Sequence, residues 1–229
     1  MGCDAKNNKP ALFDCKTVEE IFPKYVCHKC VDKLLEYHQK GTYGGEIMFM
    51  TIMFVDIHGF STIAEKLGPE DALKVLNKNF HIMIDIIFDC KGALLKFIGD
   101  GMMAAFGLPK PEKDDVERSL HCAIQLQKEV NNLQQTQDEN TKIKIGIGMH
   151  SGNVVLGNVG NNKRLDFTII GDAVNIASRL ADMARANEIL ATEDTIKRLA
   201  INKHDIVFVE DFLPRGKTKK TNYYRVRWQ

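Results

Sequence analysis

The sequence lacks an apolar run long enough for a membrane helix. Its longest, residues 47–55, is broken by Thr51 and falls far short of the ~20 residues a bilayer requires. It also lacks a charge excess: 31 Lys and Arg against 30 Asp and Glu give a formal net charge of +1. That argues against nucleic-acid binding, which usually brings a clear basic surplus. The N-terminus lacks the charged, apolar and small-residue succession of a signal peptide, so a cytoplasmic protein is expected. Met1-Gly2-Cys3 would suit N-myristoylation, but Lys6 stands where that signal wants Ser or Thr. No internal repeat is present. What remains is 229 residues, 44% hydrophobic and 27% charged. This is the make-up of a globular chain, long enough for one sizeable domain with a short extension.

The six cysteines, Cys3, Cys15, Cys27, Cys30, Cys90 and Cys122, are irregularly spaced, which fits reduced thiols in a cytosol. Cys27-His28-Lys29-Cys30 has the spacing of half a zinc site, but no second ligand pair follows at usable distance. Ile21, Val26, Cys30 and Leu34 recur at roughly helical spacing instead, with Cys30 as a small apolar residue.

Residues 1–45 read as a flexible lead and an N-terminal helix, and residues 46–229 as the main domain. Thr17 and Glu20 form a capping box for a helix running to about residue 38. Residues 46–56 are apolar enough for a strand buried on both faces. Leu73, Leu76, Phe80, Ile84 and Ile87 give a helical period over residues 69–89, with Pro69 at the start, where its missing donor costs nothing. Residues 93–98 and 102–106 flank Gly99-Asp100-Gly101, a hairpin signal. A helix is expected over 114–133, strands over 142–150, around 154–156 and over 166–170, then a helix capped by Asp172. A short helix near 193–199 and a strand pair, 206–210 and 222–227, close the chain. Helices interleaved with strands and hairpins predict an α/β sandwich with a mixed sheet.

Two aspartates stand in places poorly suited to stability. Asp56 ends an apolar strand, and Asp100 tips an apolar hairpin. A buried charge costs several kcal/mol unless paired or bound to a cation. Alone, Asp100 reads as a turn residue, and Asp56 as a cap on the next loop. Together they suggest carboxylates converging on divalent cations. Hard oxygens without a nearby His pair favour Mg²⁺ or Mn²⁺, and paired ions imply phosphoryl transfer. Asn175 and Arg179 are four apart and share a helix face. By themselves they fit a solvated face, yet an Arg also stabilises charge developing on a transferring phosphate.

Four segments, taken in order, resemble the class III nucleotidyl cyclase catalytic domain: Phe54-Val55-Asp56-Ile57-His58-Gly59-Phe60-Ser61; Lys96-Phe97-Ile98-Gly99-Asp100; Gly148-Met149-His150-Ser151-Gly152; and Thr168-Ile169-Ile170-Gly171-Asp172-Ala173-Val174-Asn175-Ile176-Ala177-Ser178-Arg179-Leu180. The resemblance runs over about residues 46–228, and the preceding helix is similar to the family's lead-in segment. It implies a ferredoxin-like mixed sheet flanked by helices. It implies that Asp56, Asp100 and the Ile57 carbonyl hold two metal ions, and that Gly59, Phe60, Lys96 and Thr168 contact the nucleotide. Asn175 would orient the ribose, and Arg179 would stabilise the transition state. Arg215 falls where many members carry a phosphate-binding Lys; Arg215, Lys217, Lys219 and Lys220 equally read as a solvated basic loop.

Adenine presents an N1 acceptor and an N6 donor, which Lys96 and the Thr168 hydroxyl complement. Guanine presents a protonated N1 and an O6 acceptor, and family members that use it usually carry Glu and Cys at these positions. The expected reaction is therefore ATP to 3′,5′-cyclic AMP and pyrophosphate, in a homodimer whose sites draw residues from both copies. The alternatives are a guanylyl cyclase, or an idle nucleotide-binding or dimerisation module. An upstream regulator is not visible, since little sequence lies outside the matched stretch.

Overall fold

The computed structural model describes residues 29–31, 33, 36, 45–135, 138, 141–161, 163–199, 206–212 and 220–228. The strand β1 (Gly45–His58) leads through helices α1 (Phe60–Leu67) and α2 (Pro69–Asp89) to the hairpin β2 (Ala93–Ile98) and β3 (Gly101–Phe106). Helix α3 (Asp115–Gln134), strands β4 (Lys144–Asn161) and β5 (Arg164–Ile170) and helix α4 (Asp172–Met183) follow. The chain closes with β6 (Glu188–Thr192), α5 (Glu193–Ile196), β7 (Ile206–Phe212) and β8 (Thr221–Val226).

The sheet order is β2-β3-β1-β4-β6-β8-β7, with β5 also on β4. The first four strands, with α2 and α3 as crossovers, form the expected ferredoxin-like βαββαβ unit. Of the contacts of β4, those to β1 and β5 are antiparallel and that to β6 is parallel, so the sheet is mixed.

Alternation along β1 explains its central place. Met53, Val55 and Ile57 enter one core with Met83 and Ile87 of α2 and Leu126 of α3. Met48, Met50 and Ile52 enter a second with Ala173 and Ala177 of α4. Successive side chains of a strand point to opposite faces, and here both faces are covered. Residues 29–31, 33 and 36 are helical, and Cys30 is buried in the second core, in line with the apolar reading of that cysteine. The rest of the expected 17–38 helix lies outside the described residues. Among those described, no helix is long and apolar enough to cross a membrane.

Two expectations need correction, and two elements add to them. Residues 142–150 and 154–156 are not separate strands; β4 runs unbroken through Gly152, which pairs with Met50 of β1. Gly152 is there for clearance, since a Cβ would fall 3.0 Å from the Ala173 Cβ. Asp172 does not cap α4: the N-cap is Gly171, with no side-chain cap hydrogen bond. The strand β6 and helix α1 were not foreseen, because five and eight residues are too few for a period to declare itself.

The seat of α4 is made of glycine. A Cβ on Gly148 would fall 2.1 Å from the Ala181 nitrogen, and one on Gly146 3.0 Å from the Ala184 oxygen. Ala173, Ala177 and Ala181 form the facing side of the helix and are buried. Gly148→Val should therefore force α4 off the sheet and cost about 3 kcal/mol, read from urea unfolding. Gly59→Ala, where nothing lies within 4 Å but φ is +74°, should cost only about 1 kcal/mol of left-handed strain.

Candidate active site

Asp56 stands near the end of β1, and Asp100 in the turn between β2 and β3. Val55 pairs with Met102 across the ladder, which draws the turn onto the end of β1. Gly101 makes that approach possible: a Cβ there would lie 2.8 Å from the Val55 oxygen and 3.5 Å from Asp56 Oδ1. Burial, and then the neighbouring Asp100 charge, push the Asp56 carboxyl above its ordinary range. His58 and the Ile57 N–H, which donates to the carboxylate, act the other way, while Asp182 of α4 adds to the rise. The His58 Nε2 is buried without a hydrogen-bond partner, against Gly146. The structure thus brings Asp56 and Asp100 together with Ile57 between Asp56 and His58, and adds Asp182. Such a concentration of carboxylate oxygen fits hard divalent cations. Asp182 escaped the sequence reading, since one Asp a turn beyond Arg179 has no distinguishing pattern.

The second group gathers on the β5 edge. Lys96 of β2 donates from Nζ to Asp166 Oδ2 at 2.5 Å. Thr168 follows Asp166 by two residues on β5, so the two share a face of the strand. Thr168 is buried opposite Gly157. Phe97, beside Lys96, stacks on Phe80 of α2 with centroids 5.0 Å apart, which steadies the edge strand. Asp166 too was missed: only the fold brings it across to a lysine 70 residues away.

Asn175 is exposed and Arg179 half-buried on the side of α4 away from its alanine face. Asn175 borders a cavity of about 520 Å³ with Ile169, Gly171 and Asp172. Among the described residues no hydrogen bond or ion pair joins Asn175 or Arg179 to either aspartate. Gly59, at φ +74°, precedes α1 and accepts from the Thr62 and Ile63 N–H groups at 3.1 and 3.2 Å. Phe60 opens that helix and packs on the first core. Arg215, Lys217 and Lys219 lie outside the described residues, and Lys220 pairs with Asp211 at 2.9 Å. Glu112, Asp114 and Asp115 form a second acidic group, with ligand atoms within 4.8 Å of one another. The Arg118 guanidinium pairs with all three, a kind of cation that the Asp56 group does not have among those acting on it.

Residues 44–226 match the family described as the adenylate and guanylate cyclase catalytic domain. The chain belongs to that family. The cyclase domain is 35% identical over 159 residues to an adenylate cyclase of Anabaena cylindrica, covering 66% of this chain and 31% of that protein. To adenylate cyclase 1 of Rhizobium meliloti it is 32% identical over 167 residues, covering 71% and 25%. The chain thus spans about a quarter to a third of the length of these curated relatives. Among solved structures, the adenylyl cyclase CyaB from P. aeruginosa superposes with a TM-score of 0.74 at 30% identity, over 80% of this chain and 95% of that one. The guanylyl cyclase Cya2 gives 0.71 at 29%, over 80% and 93%. Likeness reaches both kinds of cyclase, so the base choice of this cyclase domain has to be argued from its side chains.

The raised carboxyl of Asp56 has a consequence for stability. Unfolded, the group ionises in the ordinary range; folded, it ionises only at higher pH, so ionisation disfavours the fold at neutral pH. Asp56→Asn should raise the melting temperature of the chelator-treated protein at pH 7 by about 1–3 °C. The gain should vanish below about pH 4, where both states are protonated. A lower melting temperature at pH 7 would show that Asp56 is held by favourable partners instead.

Proposed function

We propose that the chain is an adenylyl cyclase, converting ATP to 3′,5′-cyclic AMP and pyrophosphate at sites shared between two copies. The observation that carries this reading is the meeting of Lys96 with the strand that bears Thr168. A fixed ammonium donor beside a buried hydroxyl complements the N1 acceptor and N6 donor of adenine. Guanine would set its N1–H against the Lys96 ammonium, donor against donor.

Asp56, Asp100 and the Ile57 carbonyl would hold two Mg²⁺ or Mn²⁺ ions, which when bound neutralise phosphate charge and make the ribose 3′-hydroxyl easier to deprotonate. The 3′-oxygen attacks the α-phosphorus, the bond to the β-phosphate oxygen breaks, and pyrophosphate leaves. Arg179 offers its guanidinium to the charge that builds on the transferring phosphate, and Asn175, a turn earlier, holds the ribose. Phe60 and Ser61, directly after Gly59, carry N–H groups that the first turn of α1 leaves without helical partners, suited to phosphate oxygens. Asp166 keeps the Lys96 ammonium on the base side of the site.

Sharing between copies is supported by the surface. Ile47, Val155 and Ile170 are neighbours in register across β1, β4 and β5 and are 73%, 41% and 54% exposed. Val159, four residues beyond Val155 on the same face of β4 and 42% exposed, extends this apolar patch along the β4–β5 arm. A second copy covers such a patch in a two-fold arrangement. It also supplies Asn175 and Arg179 to aspartates that those residues do not contact within one chain.

Base reading is tested by Lys96→Glu combined with Thr168→Cys. ATP turnover should fall about 100-fold or more, while GTP turnover rises, measured by product chromatography. An unchanged ATP preference would remove these residues from base recognition. Sharing is tested by mixing Asp100→Ala with Arg179→Ala, each inactive alone. In a mixed dimer one site collects both lesions and the other none. Random exchange makes about half the dimers mixed, so activity should return to about a quarter of the wild-type value. No activity from a tagged, confirmed mixed dimer would refute the shared site.

A further inference from the structure

We propose that Cys90 and Cys122 are a peroxide-responsive thiol pair, forming a reversible disulfide that braces the end of α2 against α3. The two cysteines approach from different helices. Cys90 is the C-cap of α2, and its N–H donates to the Ile86 oxygen at 3.0 Å. Cys122 of α3 brings its Sγ to 4.0 Å from that same oxygen. Both belong to the core beneath α2 and α3, and both are free thiols. Cys30, the third described cysteine, packs in the other core, which lies across the sheet.

Their surroundings differ in the way an oxidisable pair requires. Cys122 is fully buried, whereas Cys90 is half-buried and lines an open groove of about 520 Å³ with Lys91, Arg118, His121 and Gln125. A small oxidant therefore meets Cys90 first. Contact with the Cys122 thiol holds the Cys90 thiol below its ordinary range, with Arg118 helping and burial and Asp89 opposing. The same contact, with burial, pushes Cys122 far upward. The thiolate, not the thiol, is the nucleophile, so Cys90 is the attacking group and Cys122 the resolving one.

The step balances with hydrogen peroxide as oxidant, the hydroxide released taking up the proton given up by Cys90. The Cys90 thiolate attacks the distal peroxide oxygen; an S–O bond forms, the O–O bond breaks, and hydroxide leaves, giving a sulfenic acid. The Cys122 sulfur then displaces the sulfenic oxygen, its proton leaving with that oxygen as water, and the S–S bond forms. Two thiols lose two electrons, and one peroxide becomes two waters.

The bridge acts where other contacts already converge. Arg118 donates to the Cys90 and Lys91 oxygens at 3.2 Å each, and Lys29 of the preceding helical segment donates to the Lys91 oxygen. Lys91 itself is in the left-handed region at φ 56°. Fixing Cys90 to α3 therefore fixes the backbone turn on which that N-terminal segment is anchored.

The test uses the full chain and hydrogen peroxide, with alkylation of remaining thiols and a non-reducing tryptic digest. Trypsin separates the two cysteines onto peptides 79–91 and 119–128. Oxidation should join these peptides at about 2 Da below their summed mass, and dithiothreitol should release them. The oxidised wild type should also melt higher than the reduced form, and Cys90→Ser should lose both effects. In Cys122→Ala, Cys90 should instead be trapped by a sulfenic-acid reagent. A Cys90 that stays fully alkylatable, or a bridge to any other cysteine, overturns the proposal on the wild type alone. So does a bridge that leaves the melting temperature unchanged.

Discussion

The ladder between β1 and β4 is the constraint on which the rest of the molecule depends. It runs without interruption from the Gly45–Gly157 pair to the His58–Lys144 pair. One end holds Asp56. Toward the other end, from Val155 onward, β4 also pairs with β5 and so places Asp166 and Thr168. Beside Asp56, its ladder partner Gly146 and then Gly148 receive α4, which carries Asn175, Arg179 and Asp182. The three groups proposed to handle ions, base and phosphate are thus fixed by one register. A slip of one residue would turn every side chain of β1 to the wrong face, dissolving both cores and scattering the three groups at once.

The site is built against local stability. Asp56, Asp100 and Asp182 place negative charge near one another, and burial raises the cost for Asp56. The contrast with Glu112, Asp114 and Asp115 is instructive. There an arginine reaches all three carboxylates; Asp114 is pulled below its ordinary range by that contact, and burial keeps Asp115 above it against the same cation. No equivalent cation is among the groups that act on Asp56, where His58 is the only one that lowers it by charge. Uncompensated charge held in place by well-packed strands is the pattern of a site kept for function rather than folding.

Much of this was legible in the residues. The continuous apolar run of β1, period 3.6 in α2 and the Asp-Gly turn each declare themselves within a short window, and apolar surroundings made Asp56 and Asp100 conspicuous. The unread parts share a cause: they depend on partners distant in sequence. Gly152 reads as punctuation until the Ala173 Cβ is seen to need its space. Glu188–Thr192 is a strand because it lies parallel to β4 and is covered by β8. The Gly148–Gly152 segment, which resembles a cyclase motif, serves packing: its glycines seat α4, and His150 Nδ1 bonds Thr192 Oγ1 at 2.7 Å. Burial holds that imidazole below its ordinary range, as suits a neutral core histidine.

The Lys96–Asp166 pair shows why geometry outweighs energy at the proposed base site. Its partners are 33% and 55% exposed, and an ion pair so open to water is worth at most about 1 kcal/mol. Its contribution to folding is therefore small, and a stability argument gives no reason for the contact. Orientation does. A free lysine spreads its ammonium over many rotamers, each costing entropy to select when a ligand arrives. Asp166 selects one in advance, two residues along the strand from the Thr168 hydroxyl. An ammonium has three donors, so one can remain on Asp166 while another meets an acceptor on the base. Asp166 also offsets the positive charge that Lys96 would otherwise present to a neutral heterocycle. Under the proposed reading, a weak surface ion pair thereby serves as a positioning device for the edge of the purine.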